Sequence, residues 1–242
     1  MERSAYAEMA AIDEGHWWYR ARRSIVAAMI AKHVTLPKGA NIVEIGCGTG
    51  SNLPMLAHFG NLTAIEPDAD ARAFATPRAN ACILEGRLPD NLPIDDASQD
   101  LAVMLDVLEH VDDDVGSLKA VAKKLKPGAR FLLTVPAIPA LWSPHDAEHH
   151  HKRRYTKATL TTAIEQAGLR IDMISYFNSL LFPLIGTVRG LKNITGSKSL
   201  DTGMPPPWLN TVLERVFASE RSLIGTIPIP IGVSIIVIVR AA

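Results

Sequence analysis

Three alternating glycines and one acid that follows them are the residues best placed to bind a ligand. The run Val43–Gly50 reads VEIGCGTG and places Gly46 and Gly48 directly after an apolar segment. Glycine at such a turn permits a positive φ and lets a ligand lie against bare backbone. Glu66 follows the next apolar segment, about twenty residues further on, where a carboxylate can bind both hydroxyls of a ribose.

The spacing of the glycines excludes two common phosphate-binding motifs. A dinucleotide fingerprint requires GxGxxG, whereas Ser51 follows the third glycine, and no Gly-Lys-Ser/Thr of a P-loop follows. Glu44, which begins the turn, would repel a pyrophosphate and suits a ligand with an ammonium group. Taken separately, the glycines could form an ordinary turn between a strand and a helix, and Glu66 could be a solvated surface residue. Their order along the chain favours a cationic nucleoside ligand.

A second group of reactive side chains lies in a polar stretch at 142–155, which reads WSPHDAEHHHKRRY. A histidine there can take a proton from an acceptor, with a carboxylate to orient it, while arginine and tyrosine can hold an anionic or polar molecule. We predict catalytic roles for His145, His149, Asp146, Tyr155 and Arg154. The alternative is a solvated loop whose charges only cap the following helix.

Metal binding is the competing interpretation of these histidines. His145 and His149 have the spacing of two ligands on one turn of helix. Because the stretch around Pro144 shows no helical pattern, we predict no metal site. Cys47 and Cys82 form no CxxC pair, which fits a reducing, cytoplasmic location.

Alternating strands and helices must position these groups. Apolar runs predict strands at 41–45, 62–66, 81–84, 100–105, 130–135, 169–176 and 232–239. Helical patterns separate them at 51–58, 68–76, 113–125 and 156–167. This rhythm predicts an α/β fold around a parallel sheet.

The length of 242 residues and an apolar content of 48% fit a single domain, 1–242. We divide it into an N-terminal helical cover (4–33), a cofactor-binding core (41–176), an inserted cap (177–230) and a last strand (232–240). The cap carries helical patterns near 178–193 and 208–221, and its apolar residues could shape an acceptor pocket or a homodimer contact. Pro228 and Pro230 interrupt the longest apolar run, so we predict no transmembrane span.

The motifs in order resemble the class I S-adenosylmethionine-dependent methyltransferases, the broad group that includes the ubiquinone and menaquinone methyltransferases. They are the run Glu44–Gly50, the acid Glu66, the segment Leu105–Val111 and the turn Leu125–Ala129. The resemblance covers residues 41–176. It implies a Rossmann-like, doubly wound sheet of seven strands, mostly parallel with the last strand antiparallel.

The resemblance also implies the cofactor S-adenosyl-L-methionine and the product S-adenosyl-L-homocysteine. Glu44 would hold the amino group of the cofactor and Glu66 its ribose. Many relatives carry an aspartate where this chain has Arg87, which leaves adenine binding to backbone groups. The implied cofactor-binding residues are Glu44, Gly46, Gly48, Gly50, Glu66, Pro67, Arg87, Leu88, Asp106, Val107, His110, Tyr19 and Arg23. Arg20 and Arg22 are alternatives to Arg23 beside the methionine carboxylate.

The predicted function is methyl transfer to a small-molecule acceptor, apolar or anionic, with oxygen as the favoured acceptor atom. Such a transfer is an in-line displacement, and a histidine base is needed where the acceptor must lose a proton. A catalytically silent protein that binds the cofactor as a sensor or partner subunit is the alternative. A nucleic-acid methyltransferase is disfavoured because 25 basic residues balance 25 acidic ones.

Overall fold

A seven-stranded sheet forms the centre of the protein. The structure, a computed structural model, describes residues 3–78, 81–184, 187 and 203–241, without the side chains of residues 3–5 and 145. The strands are β1 (Asn41–Ile45), β2 (Asn61–Ile65), β3 (Cys82–Leu84), β4 (Gln99–Leu105), β5 (Leu125–Pro136), β6 (Leu169–Phe177) and β7 (Ser234–Ala241). Their order across the sheet is β3-β2-β1-β4-β5-β7-β6.

The direction of the strands confirms the predicted Rossmann-like arrangement. Strands β1 to β5 pair with one another in parallel, and β7 runs antiparallel to both β5 and β6. β7 lies in the interior of the sheet, as its apolar, β-branched sequence predicts. The strand order reverses between β1 and β4. Ligands of doubly wound folds bind at the carboxyl ends of strands at such a reversal.

Helices cover both faces of the sheet. They are α1 (Arg3–Ile12), α2 (Trp17–His33), α3 (Leu53–Leu56), α4 (Ala69–Ala75), α5 (Asp114–Lys124), α6 (Pro144–Glu148), α7 (Lys157–Gln166) and α8 (Pro207–Ser219). Alternate residues of β4 point to opposite faces: Leu101 and Val103 join the core beneath α2 and α8, whereas Ala102 and Met104 join the core beneath α5 and α7. None of the helices in the described residues is long and apolar enough to cross a lipid bilayer.

The N-terminal cover is two helices rather than one continuous segment over 4–33. α1 ends before Gly15, and the side chain of His16 caps α2 by accepting a hydrogen bond from the backbone N–H of Trp18 at 3.3 Å. Asn210 of α8 fixes this junction, because it accepts from Trp17 N at 2.8 Å and donates to Gly15 O at 2.9 Å. The break allows the two helices to take different directions over the sheet.

Two other predictions differ from the structure in detail. The stretch 142–155 contains the short helix α6, although we predicted no helix there; Pro144 stands at its first position, where proline is well tolerated. In the insertion, α8 matches the helix predicted at 208–221. Half of the helix predicted at 178–193, namely 185–186 and 188–193, lies outside the described residues.

Candidate active site

The glycine turn after β1 is shaped by the close approach of the chain segment that follows β4. Gly46 has φ +73°, and a Cβ atom there would lie 2.5 Å from Cγ2 of Val107. Gly48 has φ +53° and faces open space, with no atom within 4 Å of a Cβ placed on it. Gly46 therefore serves the packing of the turn, while Gly48 leaves room for a ligand against its backbone.

Glu66 lies beside this turn, directly after β2. Its Oε2 accepts a hydrogen bond from Gly48 N at 2.9 Å and its Oε1 accepts one from Asp68 N at 3.0 Å. Burial raises the pKa of Glu66, while these two N–H groups oppose the rise. The carboxylate is thus held in one orientation at the cavity wall, as ribose binding requires.

Glu44 occupies a different kind of position from Glu66. Its side chain is 1% exposed and does not line the cavity, and Oε1 accepts a hydrogen bond from Asn52 Nδ2 at 2.9 Å. Burial raises the pKa of Glu44 to about 7. Asn52 does line the cavity, so Glu44 is connected to the cavity through the amide of Asn52. Direct contact of Glu44 with a cofactor amino group stays a prediction.

Arg22 is the arginine of α2 that lines the cavity. Its Nη2 lies 2.5 Å from Oδ2 of Asp106 and donates to Oγ1 of Thr134 at 3.0 Å. Arg20 instead pairs with Glu214, and Nη1 of Arg23 donates to the backbone of residue 13. Tyr19 joins Arg22 at the cavity. Of the three candidate arginines, Arg22 is the one that lines the cavity, and its contact with the methionine carboxylate stays a prediction.

The segments after β3 and β4 contribute unequally. Asp106, Val107 and His110 follow β4 and line the cavity. Arg87 and Leu88 follow β3 and lie outside the cavity lining; the backbone N–H and C=O of Arg87 both pair with Asn91, at 2.7 and 2.8 Å. Backbone contact of Arg87 with adenine stays a prediction, and it would require Asn91 to release these groups.

The stretch around α6 is organised by a buried carboxylate. Asp146 is fully buried and accepts hydrogen bonds from Nδ1 of His151, at 2.8 Å, and from Nε and Nη2 of Arg154, at 2.8 and 3.1 Å. Arg154 also lines the cavity, whereas Asp146 does not. Tyr155 lies outside the lining as well, and its hydroxyl donates to Asp114 at 3.0 Å. The side chain of His145 lies outside the described residues.

A compact group of titratable side chains forms the wall between Asp106 and α6. His110 and His151 meet edge to face with ring centroids 4.7 Å apart, and His149 lies 6.2 Å from His151 by the same measure. Burial and the neighbouring His151 lower the pKa of His110 to about 4, so its ring is neutral near pH 7. Glu109 is fully buried, and burial together with Asp106 raises its pKa well above the ordinary value.

One cavity of about 620 Å³ joins the glycine turn to this group, a volume within the range of small-molecule sites. The predicted residues that line it are Tyr19, Gly46, Gly48, Glu66, Pro67, Asp106, Val107, His110, His149 and Arg154. The predicted residues with described side chains or backbone that do not line it are Arg23, Glu44, Gly50, Arg87, Leu88, Asp146 and Tyr155. Helix α1 closes one side, where Asp13 accepts from Thr49 of the turn at 3.2 Å.

A family model decides between the ligand classes that such a cavity could serve. The model describes a methyltransferase domain, and it matches residues 16–173, more than half of the chain. The chain belongs to this methyltransferase family. Within it, the fold and the relatives are those of the class I S-adenosylmethionine-dependent methyltransferases, and S-adenosylmethionine is the cofactor of that class.

The sequence of the methyltransferase is similar to those of two named relatives. A Mycolicibacterium smegmatis protein named "Probable S-adenosylmethionine-dependent methyltransferase" is 29% identical over 164 residues, which cover 66% of this chain and 62% of the relative. A ubiquinone biosynthesis O-methyltransferase of Xanthomonas axonopodis pv. citri is 28% identical over 158 residues, covering 57% of this chain and 66% of the relative. The matches thus span slightly less than two thirds of each relative.

Solved structures support the fold of the methyltransferase. A chain from the complex between the Haloferax volcanii Trm112 methyltransferase activator and a methyltransferase superposes with a TM-score of 0.64. The match covers 99% of this chain and 96% of the other at 19% sequence identity. At that identity the likeness shows a shared fold alone.

Several side chains of the methyltransferase cavity were not singled out from the sequence. Arg22 was only one of three alternatives, and Asn52, Glu109 and His151 were not selected. Glu109 offered a signal, because it stands beside His110 in the segment after β4 that resembles the family. His151 belongs to the run of three histidines in the polar stretch that could supply a base, but only the fold brings it to His110.

Proposed function

We propose that this chain transfers the methyl group of S-adenosylmethionine to a hydroxyl oxygen of a small-molecule acceptor. The observation that carries the proposal is the single cavity that unites two kinds of group. Gly48 and Glu66 line it where the class binds the cofactor, and Glu109, His110 and His149 line it with atoms that accept protons or bind a hydroxyl. A bound acceptor can therefore lie next to the cofactor and next to these proton-accepting side chains at the same time.

The chemistry required of the protein is alignment and proton removal. Displacement at the sulfonium methyl group is in line, so the acceptor oxygen must lie opposite the departing sulfur in a dry site. A hydroxyl is a poor nucleophile until its proton is lost. We assign that role to His149, whose half-buried side chain lines the cavity, and we assign Arg154, held by Asp146, to binding the acceptor. His145 stays a predicted alternative base.

The acceptor proposed here has an apolar body. Leu181, Leu184 and Leu213 from the insertion, with Trp17 and Trp18 from α2, line the cavity opposite its polar wall. Such surfaces bind lipidic or aromatic molecules by removing apolar area from water. The likeness to an O-methyltransferase of ubiquinone biosynthesis supports an oxygen acceptor on a molecule of this kind.

Cofactor binding can be tested by calorimetry with S-adenosylmethionine and S-adenosylhomocysteine. We expect the wild type to bind both, and Glu66→Gln to bind each about 10-fold to 100-fold more weakly, the loss that one hydrogen bond to a charged group produces. Glu165→Gln, in an exposed position of α7, is the matched control and should bind as the wild type does. A wild type that binds neither compound, or an unimpaired Glu66→Gln variant, would overturn the assignment of the pocket.

Transfer can be tested with methyl-labelled cofactor and a fractionated metabolite extract. We expect label to enter an apolar, hydroxyl-bearing compound, and His149→Ala to reduce that turnover by about 100-fold or more. His58→Ala, at an exposed histidine of a different segment, should retain full turnover. Undiminished turnover by His149→Ala would remove His149 from the mechanism. Cofactor binding without any labelled product would favour the silent, cofactor-binding alternative.

A further inference from the structure

Glu109, His110 and His151 bring three metal-binding atoms together in the wall of the cavity. One ligand atom from each residue lies within 4.8 Å of the other two, and all three residues line the cavity. An ion between three atoms so spaced lies within about 2.8 Å of each, so movement of less than about 1 Å would give ordinary Zn–N and Zn–O bonds. The positions of the side chains thus already approximate a coordination triangle.

The side chain of Glu109 is the unsatisfied polar group of this triangle. Glu109 is fully buried, and neither of its oxygens has a hydrogen-bond partner among the described residues. An ionised carboxylate buried without such partners costs several kcal/mol, so the group either holds a proton, in line with its raised pKa, or pairs with a cation or a metal ion. Structural glutamates in a core normally have hydrogen bonds instead. Glu109 is therefore better suited to bind a ligand than to stabilise the fold.

His151 is held in the manner of a metal-binding histidine. Its Nδ1 is hydrogen-bonded to Oδ1 of Asp146 at 2.8 Å, which orients the ring and makes Nε2 the nitrogen that would bind an ion. Asp146 is itself fixed by Arg154 and by the backbone N–H of Ser143 at 2.9 Å. A carboxylate behind the histidine is the usual outer partner of zinc-binding imidazoles.

We propose that Glu109, His110 and His151 bind a divalent transition-metal ion of the Zn²⁺ class, with a further coordination position open to the cavity. Two imidazoles and one carboxylate suit Zn²⁺ and Co²⁺ better than Mg²⁺, and three protein ligands with an open position are typical of catalytic rather than structural sites. The proposal revises the sequence-based prediction of no metal site. It also places the site on residues other than the His145 and His149 pair.

The role of the ion rests on the proposed function, although its binding does not. In that role the ion binds the hydroxyl oxygen of the acceptor and lowers the pKa of that hydroxyl. The proton passes to His149, the oxygen forms a bond to the methyl carbon, and the carbon–sulfur bond breaks to leave neutral S-adenosylhomocysteine. The proton on His149 then leaves to water, and the ion undergoes no redox change.

Co²⁺ is the probe for the test, because its visible absorption reports coordination directly. The full-length chain, freed of metal with a chelator, is titrated with Co²⁺ by absorption spectroscopy and then with Zn²⁺ in competition. We expect one ion per chain, displaced by Zn²⁺, and an affinity at least about 10-fold to 100-fold lower for both Glu109→Gln and His151→Gln. His58→Gln is the matched control and should bind as the wild type does. Thermal unfolding confirms that each variant is folded.

The outcomes separate this inference from the proposed function. Wild-type chain that binds no Co²⁺, or a folded Glu109→Gln variant that binds it with wild-type affinity, overturns the metal site. Methyl transfer that survives chelation, in a chain that binds no Co²⁺, overturns the site and leaves the proposed function standing. Co²⁺ binding at these residues in a chain that transfers no methyl group supports the site and overturns the function.

Discussion

Asp146→Asn is predicted to destabilise the protein severely, because its carboxylate is the centre of a buried network. Five hydrogen bonds reach it: two from Ser143, one from His151 and two from Arg154. The side chains of Asp146 and Arg154 are 0% and 2% exposed. Asparagine has nearly the same shape but no charge, and its NH₂ group would face donors. The substitution therefore removes the charge and also breaks the hydrogen bonds at one of the two oxygen positions.

The magnitude follows from the buried guanidinium that the variant leaves behind. Removing one partner of a buried ion pair costs about 3–5 kcal/mol, since the remaining charge stays desolvated. Burial acts to raise the pKa of Asp146, but the hydrogen bonds from His151 and Arg154 outweigh it and hold that pKa well below the ordinary 3.8. A depressed pKa stabilises the folded state above the ordinary pKa and ceases to do so as the pH falls through the depressed value.

Urea unfolding followed by circular dichroism measures the effect at neutral pH and again at lower pH. We expect a loss of about 3–5 kcal/mol in the free energy of unfolding at neutral pH, and a smaller difference from the wild type in acid. Asp172→Asn is the control, because Asp172 also bridges two arginines, Arg130 and Arg240, but is 24% exposed and should lose less than about 1 kcal/mol. Equal losses in the two variants, or a loss below about 1 kcal/mol at Asp146, would refute the reasoning.

Three further predictions concern other parts of the fold. Gly46→Ala should lower the free energy of unfolding more than Gly48→Ala. Both substitutions place a side chain in the left-handed region, at a cost of about 1–2 kcal/mol, but only the Cβ at position 46 would also clash with a neighbouring side chain. Urea unfolding of both variants measures the difference. Glu44→Gln should flatten the pH dependence of stability. Burial raises the pKa of Glu44 to about 7, so the free energy of unfolding of the wild type falls by up to about 3 kcal/mol as the pH rises from 4.5 through 7. Unfolding measured at several pH values tests this. Glu220→Ala should lower the free energy of unfolding by about 2–3 kcal/mol, as measured by thermal unfolding. The reason is that Oε1 of Glu220 accepts hydrogen bonds from the backbone N–H groups of Ser179 and Leu180, at 2.7 and 2.8 Å.

Local sequence signals were sufficient for the sheet and the cofactor turn. The inner parallel strands β1 and β4 are buried on both faces, so each appears in the sequence as a largely apolar run. Gly46 and Gly48 both have a positive φ, a requirement of the turn itself that the sequence indicates, whereas the contact of Gly46 with Val107 depends on the fold. The position of β7 followed for the same reason, since its run of isoleucine and valine has no polar face.

Contacts between distant segments account for what the sequence did not predict. The preference for Arg22 over Arg23 depends on how α2 is rotated about its axis, and that rotation is set by the helix break at Gly15 and by the contact with α8. Glu109 and His151 are separated by helices α5 and α6 and by strand β5, so neither identifies the other in the sequence. Asp146 was predicted as a catalytic partner, and its five hydrogen bonds could not be inferred without the fold.

The place of β7 between β5 and β6 bears on how the protein is synthesised. A ribosome delivers β5 and β6 before residues 234–241, and within the described sheet β6 pairs with no strand except β7. Before β7 leaves the exit tunnel, the edges of β5 and β6 that β7 will pair with are unsatisfied, and each can recruit a strand from another molecule. Dependence on chaperones during translation should be greatest in that interval and should end when β7 inserts.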